Sequence, residues 1–207
     1  MSGAAPARAR APRVPQRERR RQLLDAALAV LAEDGFGALS MEAVARRAGV
    51  DRVVVYRSFP SLHLLLLALL RREQRRTERR LDALIPADPG GRDPRELLHA
   101  GVAGFLDAVA AEPLTWRLAL LPPEGAPVAV RAAVDRRRAA AERRLRRLVE
   151  WGADRLAVPP HTIDAEVLSR MILSVCEEHG RLLLEGTFTR ERLAESAQRL
   201  LAAVAWR

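Results

Sequence analysis

The chain has 207 residues, enough to bury a core in one large domain or two small ones. Leu and Ala dominate, aromatic residues make up 4% and Gly and Pro fall in clusters, a balance that favours helices over strands. All 35 basic residues are arginine, and residues 1–80 hold 17 of them against 8 acidic residues while the remainder holds 18 against 18, so the net +9 lies wholly in the N-terminal part. A coding bias explains the missing lysine but not this asymmetry, which suits a phosphate-binding part joined to a neutral one. A lone Cys176 excludes an internal disulfide and suits a reducing compartment. No apolar segment follows the N-terminal arginines as in a signal peptide. The longest apolar run, Leu62 to Leu70, is broken by His63 and falls short of the ~20 residues of a membrane span. A cytoplasmic protein with no membrane partner is therefore expected.

In chain order, residues 1–15 are rich in Pro, Ala and Arg and lack periodicity, which predicts a disordered basic arm. Arg8, Arg10 and Arg13 offer it charge for phosphates or a minor groove, and a solvated tail is the alternative. A first helix is predicted from Gln16 to Glu33, with Leu24, Leu28 and Leu31 on one face, ended by Asp34-Gly35. Phe36 is placed to plug the core beside it. Ser40 to Ser61 then reads as two short helices about a tight turn. Ser40 caps the second helix, which carries Glu42 in its first turn, and Gly49 ends it. Val50 fills the angle, Asp51 caps a third helix from Arg52 to Phe59, and Pro60 stops it. This is a helix-turn-helix pattern, whose second helix fits a major groove.

The run GFGALSMEAVARRAGVDRVVVYRSFPS resembles the N-terminal DNA-binding domain of the TetR family of bacterial transcriptional regulators. Gly35-Phe36, Leu39-Ser40-Met41, Val44-Ala45, Ala48-Gly49-Val50, Val55-Tyr56, Phe59 and the leucines from Leu64 carry the resemblance, over roughly residues 17–75. It implies a domain over 16–76 that reads DNA and a C-terminal domain over 77–207 that binds a small molecule and dimerises. Candidate DNA contacts are Ser40, Met41, Asp51, Arg52, Val53, Tyr56, Arg57 and Ser58. Arginine pairs with guanine edges and valine packs on thymine methyls. Tyr56, Ser40 and Met41 match positions that meet the DNA backbone in relatives; for Arg46 and Arg47 a solvated face is the simpler reading. Three departures bear on the operator. Ser58 stands where the family often has His or Tyr, Leu62 where it often has Lys, and Val53-Val54-Val55 is unusually apolar.

A fourth helix, from Ser61 to Leu84, begins leucine-rich and ends charged, as a connector between domains would. Pro86 to Pro94 break the chain. A fifth helix follows from Arg95 to Ala111 and a sixth from Pro113 to Leu121, with a loop over 122–125. The seventh runs from Val128 to Leu156, carrying nine arginines from Arg131 to Arg155. Helix 8 is predicted from a Thr162 cap to Glu185, and helix 9 from a Thr189 cap to Val204. The fold class is therefore all-α, of about nine helices. Helix 8 has two apolar stripes: Ile163, Val167, Met171 and Leu182, then Leu168, Ile172, Val175 and Leu183. A helix apolar on two sides needs two partners. The second is expected to be another subunit, making a homodimer through helices 8 and 9.

Pocket candidates for a small-molecule effector are Phe105, Trp116, Leu120, Trp151, Met171, Val175, Cys176 and His179, each with ordinary core packing as the alternative. No cofactor and no metal is expected, because the four histidines are scattered and Glu177-Glu178-His179 lacks a second histidine one turn away. No phosphate loop or nucleophile elbow occurs, so an enzyme is not expected. The expected function is a ligand-responsive, sequence-specific repressor. A non-specific polyanion or membrane-surface binder, or a small helical enzyme, are the alternatives.

Overall fold

The computed structural model describes residues 15–120, 128–159 and 161–204. Except for Pro15 the N-terminal arm, and with it the loop over 122–125, lies outside them. Nine α-helices and one 3-10 turn are found among the described residues, and no strand. They are α1 (Gln16–Asp34), α2 (Met41–Ala48), α3 (Arg52–Ser58), α4 (Leu62–Leu84), α5 (Pro94–Ala111), α6 (Pro113–Leu120), α7 (Val128–Arg155), α8 (Ala165–Glu185) and α9 (Arg190–Val204).

The first core closes around α1. Leu23, Ala27 and Leu31 on α1 are wholly buried, and Val44, Val55, Phe59, Leu65 and Leu69 pack with them. Phe36, on the 3-10 turn, packs against this cluster as the sequence predicts, and Val50 fills the inter-helix angle. Leu118 is buried in the same cluster and Leu114 packs against it, both from α6. The N-terminal core therefore takes in a helix from much further along the chain.

The second and third cores lie beyond α4. Phe105, Leu106, Val109, Trp116 and Leu120 meet Leu184 and Leu193 in one. Leu98, Val102, Leu145, Val149, Leu168 and Ile172 meet Ala197 in the other. Helix α8 crosses α7, α5 and α6, and α9 packs on α5 and α8. Gly180 lets α8 come close, since a Cβ there would lie 2.7 Å from Leu120 Cδ1 and 3.0 Å from the Phe105 ring.

One predicted cap moves. Asp164, not Thr162, starts α8: its Oδ1 accepts from the backbone N–H groups of Glu166 and Val167, both at 3.0 Å. An ionised carboxylate satisfies two orphan donors and opposes the positive helix end, where a hydroxyl offers less. The Thr162 N–H is instead bonded to Pro159 O, and His161 stands at φ 70°.

Candidate nucleic-acid interface and effector cavity

Local chemistry fixes the helix-turn-helix. Ser40 Oγ accepts from the Ala43 N–H at 3.0 Å and starts α2. Gly49 ends it at φ 64°, ψ 37°, a left-handed conformation that glycine adopts without steric cost. Asp51 Oδ1 accepts from the Val53 N–H at 2.7 Å and starts α3. Two side chains of α1 finish the unit. Gln22 Nε2 donates to Ala48 O at 2.8 Å, and Arg20 Nη1 donates to Ser58 O while its guanidinium lies 4.1 Å from the Phe59 ring centre. A cation at the C-terminal end of α3 also opposes the negative helix end.

Helix α3 divides cleanly. Val55 and Ser58 face inward, and Arg52, Val53, Tyr56 and Arg57 are exposed. Positions i, i+1, i+4 and i+5 share one side of a helix, so these four side chains form a single outward face. Arg52 Nη1 pairs with Glu42 Oε1 at 2.6 Å, and Arg52 Nη2 donates to Tyr56 Oη at 3.1 Å. The Tyr56 hydroxyl, then the Glu42 charge, push the Arg52 pKa up from its ordinary value, so the guanidinium stays charged. Arg47 is tied to Glu33 at 2.6 Å, and Arg46 is exposed.

Three of the predicted contact residues are placed differently from the α3 face. The Met41 side chain, at the α2 start, is buried in the first core. The Ser58 hydroxyl does not reach out, because position 58 falls three residues after Val55 on the buried side. Asp51 is spent on its cap.

A cavity of about 70 Å³ lies among α4, α5, α6, α7 and α8. Four of the pocket candidates, Phe105, Trp116, Leu120 and Cys176, line it. Phe105 and Trp116 meet edge to face, with ring centres 5.0 Å apart. The other four pocket candidates lie elsewhere. Trp151 lines a separate groove with Pro86, Pro89 and Arg147. Met171 is 48% exposed on the outer side of α8, and Val175 packs into the third core. His179 is buried, with Nδ1 2.7 Å from Val175 O. A carbonyl only accepts, so Nδ1 carries the proton and the ring is a satisfied core histidine.

A polar network joins this region to the first core. Glu73 on α4 is only 5% exposed. Its Oε1 accepts from Arg72 Nε at 2.7 Å and its Oε2 from Thr115 Oγ1 of α6 at 2.8 Å. Arg72 in turn reaches Asp25 of α1 at 2.6 Å. The sequence gives no sign of the contacts that Arg20 and Glu42 make, and Glu73 and Thr115 are not among its candidates. A signal existed for Glu73: Leu65, Leu69, Glu73 and Thr77 recur every fourth residue, and all four are buried.

The family model described as bacterial regulatory proteins, tetR family, matches residues 23–69. That span runs from the buried face of α1 to Leu69 and holds the whole helix-turn-helix. A solved TetR-like transcriptional regulator from Rhodococcus sp. RHA1 covers 91% of this chain and 96% of its own, with a TM-score of 0.69 and 26% identity. Residues 23–69 therefore form a TetR-family DNA-binding region, and the chain as a whole shares the fold of that regulator. Two curated TetR-type relatives extend the likeness. The HTH-type transcriptional repressor KstR of Rhodococcus jostii RHA1 is 38% identical over 99 residues, 48% of this chain and 44% of its own. The HTH-type transcriptional activator FasR of Mycolicibacterium smegmatis is 37% identical over 106 residues, 51% of this chain and 47% of its own. The chain thus spans about half the length of the curated relatives it matches. Among the described residues no cluster of three or more potential metal ligands occurs, and no single helix is long and apolar enough to cross a membrane.

Proposed function

We propose that this chain is one subunit of a cytoplasmic, homodimeric transcriptional regulator of the TetR family, a repressor that leaves its operator when a small molecule fills the C-terminal cavity. The observation that carries the reading is the outward face of α3, with Arg52, Val53, Tyr56 and Arg57 presented together on a helix capped at both ends. Arg52 and Val53 have the chemistry to read guanine edges and thymine methyls, and Tyr56 and Arg57 that to hold phosphates. The backbone N–H groups at the start of α2, beside Ser40 and Met41, suit a phosphate as well. The arginine excess of residues 1–80 supplies the sequence-independent attraction.

Two reading heads need two subunits. Val167 at 52%, Met171 at 48% and Leu200 at 45% exposure are large apolar side chains left uncovered on α8 and α9. They support dimerisation through those helices. Ligand coupling follows from α4 and α6, which each take part in both the first core and the cavity wall. A ligand that favours one spacing of the heads by a few kcal/mol shifts the population accordingly.

The test is a mobility-shift assay with DNA flanking the protein's own gene, at two salt concentrations and with excess random competitor. A discrete band that resists competitor, and is lost in Arg52→Ala and weakened in Tyr56→Phe, is expected. Retardation that vanishes equally with competitor, in wild type and both variants, would overturn specific readout.

A further inference from the structure

The cavity wall is apolar, yet its charges do not balance. Arg137, Arg138 and Glu177 line it. Arg138 takes Glu177, Nη2 to Oε2, at 3.1 Å. Arg137 is left without an ion-pair partner among the described residues. Its hydrogen bond runs from Nη2 to the carbonyl oxygen of Ala119, 2.9 Å away in the last turn of α6. A guanidinium carries five N–H donors, so this half-buried one has donors left for the oxygens of a ligand. Withdrawal from water works against its charge and lowers its pKa, with the Glu177 field opposing. No other group in the wall supplies the missing charge: burial, then Glu177, push the Cys176 thiol up to about 12, which keeps it neutral.

A second donor on the same wall is also idle. Trp116 is 3% exposed, and its Nε1–H is buried without a partner. Buried indole N–H groups nearly always find an acceptor. An unpaired cation and an orphan N–H in an otherwise greasy slot ask for oxygen acceptors and negative charge. A cationic ligand finds no free carboxylate there, since Glu177 is held by Arg138.

We propose that the effector is an amphipathic anion, with a slender apolar chain in the slot and a carboxylate-class head on Arg137, within reach of the Trp116 N–H for a further oxygen. This narrows the effector-cavity reading above and rests on it. One water-sized group takes roughly 10–15 Å³ by this measure, so the 70 Å³ cavity admits about five before it must open. A head group also competes with Ala119 for the guanidinium that caps α6, which ties binding to the helix that reaches the first core.

Isothermal titration of the full chain with octanoate, 1-octanol and octyltrimethylammonium tests this. Octanoate should bind about 10- to 100-fold more tightly than 1-octanol, as a charge-assisted hydrogen-bonded pair implies, and the ammonium ligand most weakly. Arg137→Gln should erase that preference while keeping 1-octanol affinity, and Arg137→Lys should keep it. A guanidinium that only caps α6 would alter stability without altering the ranking. Equal binding of octanoate and 1-octanol by the wild type, or a preference that survives Arg137→Gln, overturns the proposal and leaves the cavity reading standing. So does binding of the neutral dye Nile red with none of the octyl ligands. If neither the dye nor any octyl ligand binds, the cavity reading fails, and the proposal with it. Should Arg137→Gln not fold, the wild-type ranking decides alone.

Discussion

Removing the Glu73 carboxylate should weaken the whole chain while leaving the recognition face untouched. Glu73 is 5% exposed and serves Arg72 at 2.7 Å and Thr115 at 2.8 Å, with Arg76 at 3.8 Å. Deleting one partner of a buried charged pair costs roughly 3–5 kcal/mol, mostly because the other charge is stranded. Here Arg72 keeps Asp25 at 2.6 Å, so its charge is not stranded and the lower part of that range applies. The loss of an acceptor for the buried Thr115 hydroxyl adds about 1 kcal/mol. Glu73→Ala should therefore destabilise by about 4 kcal/mol, or lower Tm by about 8–16 °C at the roughly 2–4 °C per kcal/mol of a chain this size. Glu73→Gln keeps an acceptor for Thr115 and should cost about half as much. Thermal unfolding followed by circular dichroism at 222 nm measures both. A Glu73→Ala protein melting within about 1 °C of wild type would refute the reasoning, since the network would then carry no net energy.

Two further outcomes are expected. Met171→Glu places a charge in the uncovered apolar stripe of α8, and should convert a dimer to a monomer in analytical ultracentrifugation with unchanged helix content; an unchanged dimer would move the interface elsewhere. Cys176 is the one cysteine in the sequence, and its thiol, raised by burial and then by Glu177 to about 12, should react slowly with Ellman's reagent at pH 8 until the chain is unfolded. The folded thiol keeps its proton to higher pH than the unfolded one, which loses it near 9.0. Its contribution to stability is thus intact below that value and falls as pH rises from 9 toward 12. A stoichiometric, immediate reaction at pH 8 in the native protein would contradict the placement of this half-buried thiol in the cavity wall.

Where a residue's role is local, the sequence shows it. Ser40, Gly49 and Asp51 act through neighbours two to four positions away, and all three do what capping chemistry dictates. The helix order and nearly every boundary follow from leucine spacing and from Gly and Pro stops. The pocket was half legible. Phe105, Trp116 and Leu120 lie on apolar faces that turn toward one another, whereas Met171 and His179 depend on the rotation of α8, which spacing alone fixes only to within a residue or two. On a helix with two apolar stripes, that error exchanges the inside for the outside.

What sequence reasoning missed is contact between residues far apart in the chain. The eight residues of α6 are the clearest case. Trp116 and Leu120 face the cavity, Leu114 and Leu118 pack with the first core, and Thr115 holds Glu73. So short a segment, apolar on several sides, reads as plain core. Its placement makes it a second connection between cavity and recognition unit, beside α4. The two routes differ in kind. In the proposed response, helix α4 would carry a displacement along its length to the end that packs in the first core. Helix α6 presses directly on α1, and α1 caps both recognition helices through Gln22 and Arg20. In the proposed ligand response, a ligand that draws Arg137 away from Ala119 would loosen the end of α6 nearest the cavity and act on α1 through Leu118 without first bending α4. The buried Glu73 carboxylate, bonded to Thr115, joins α4 to α6, so in the proposed response the two routes would be coupled.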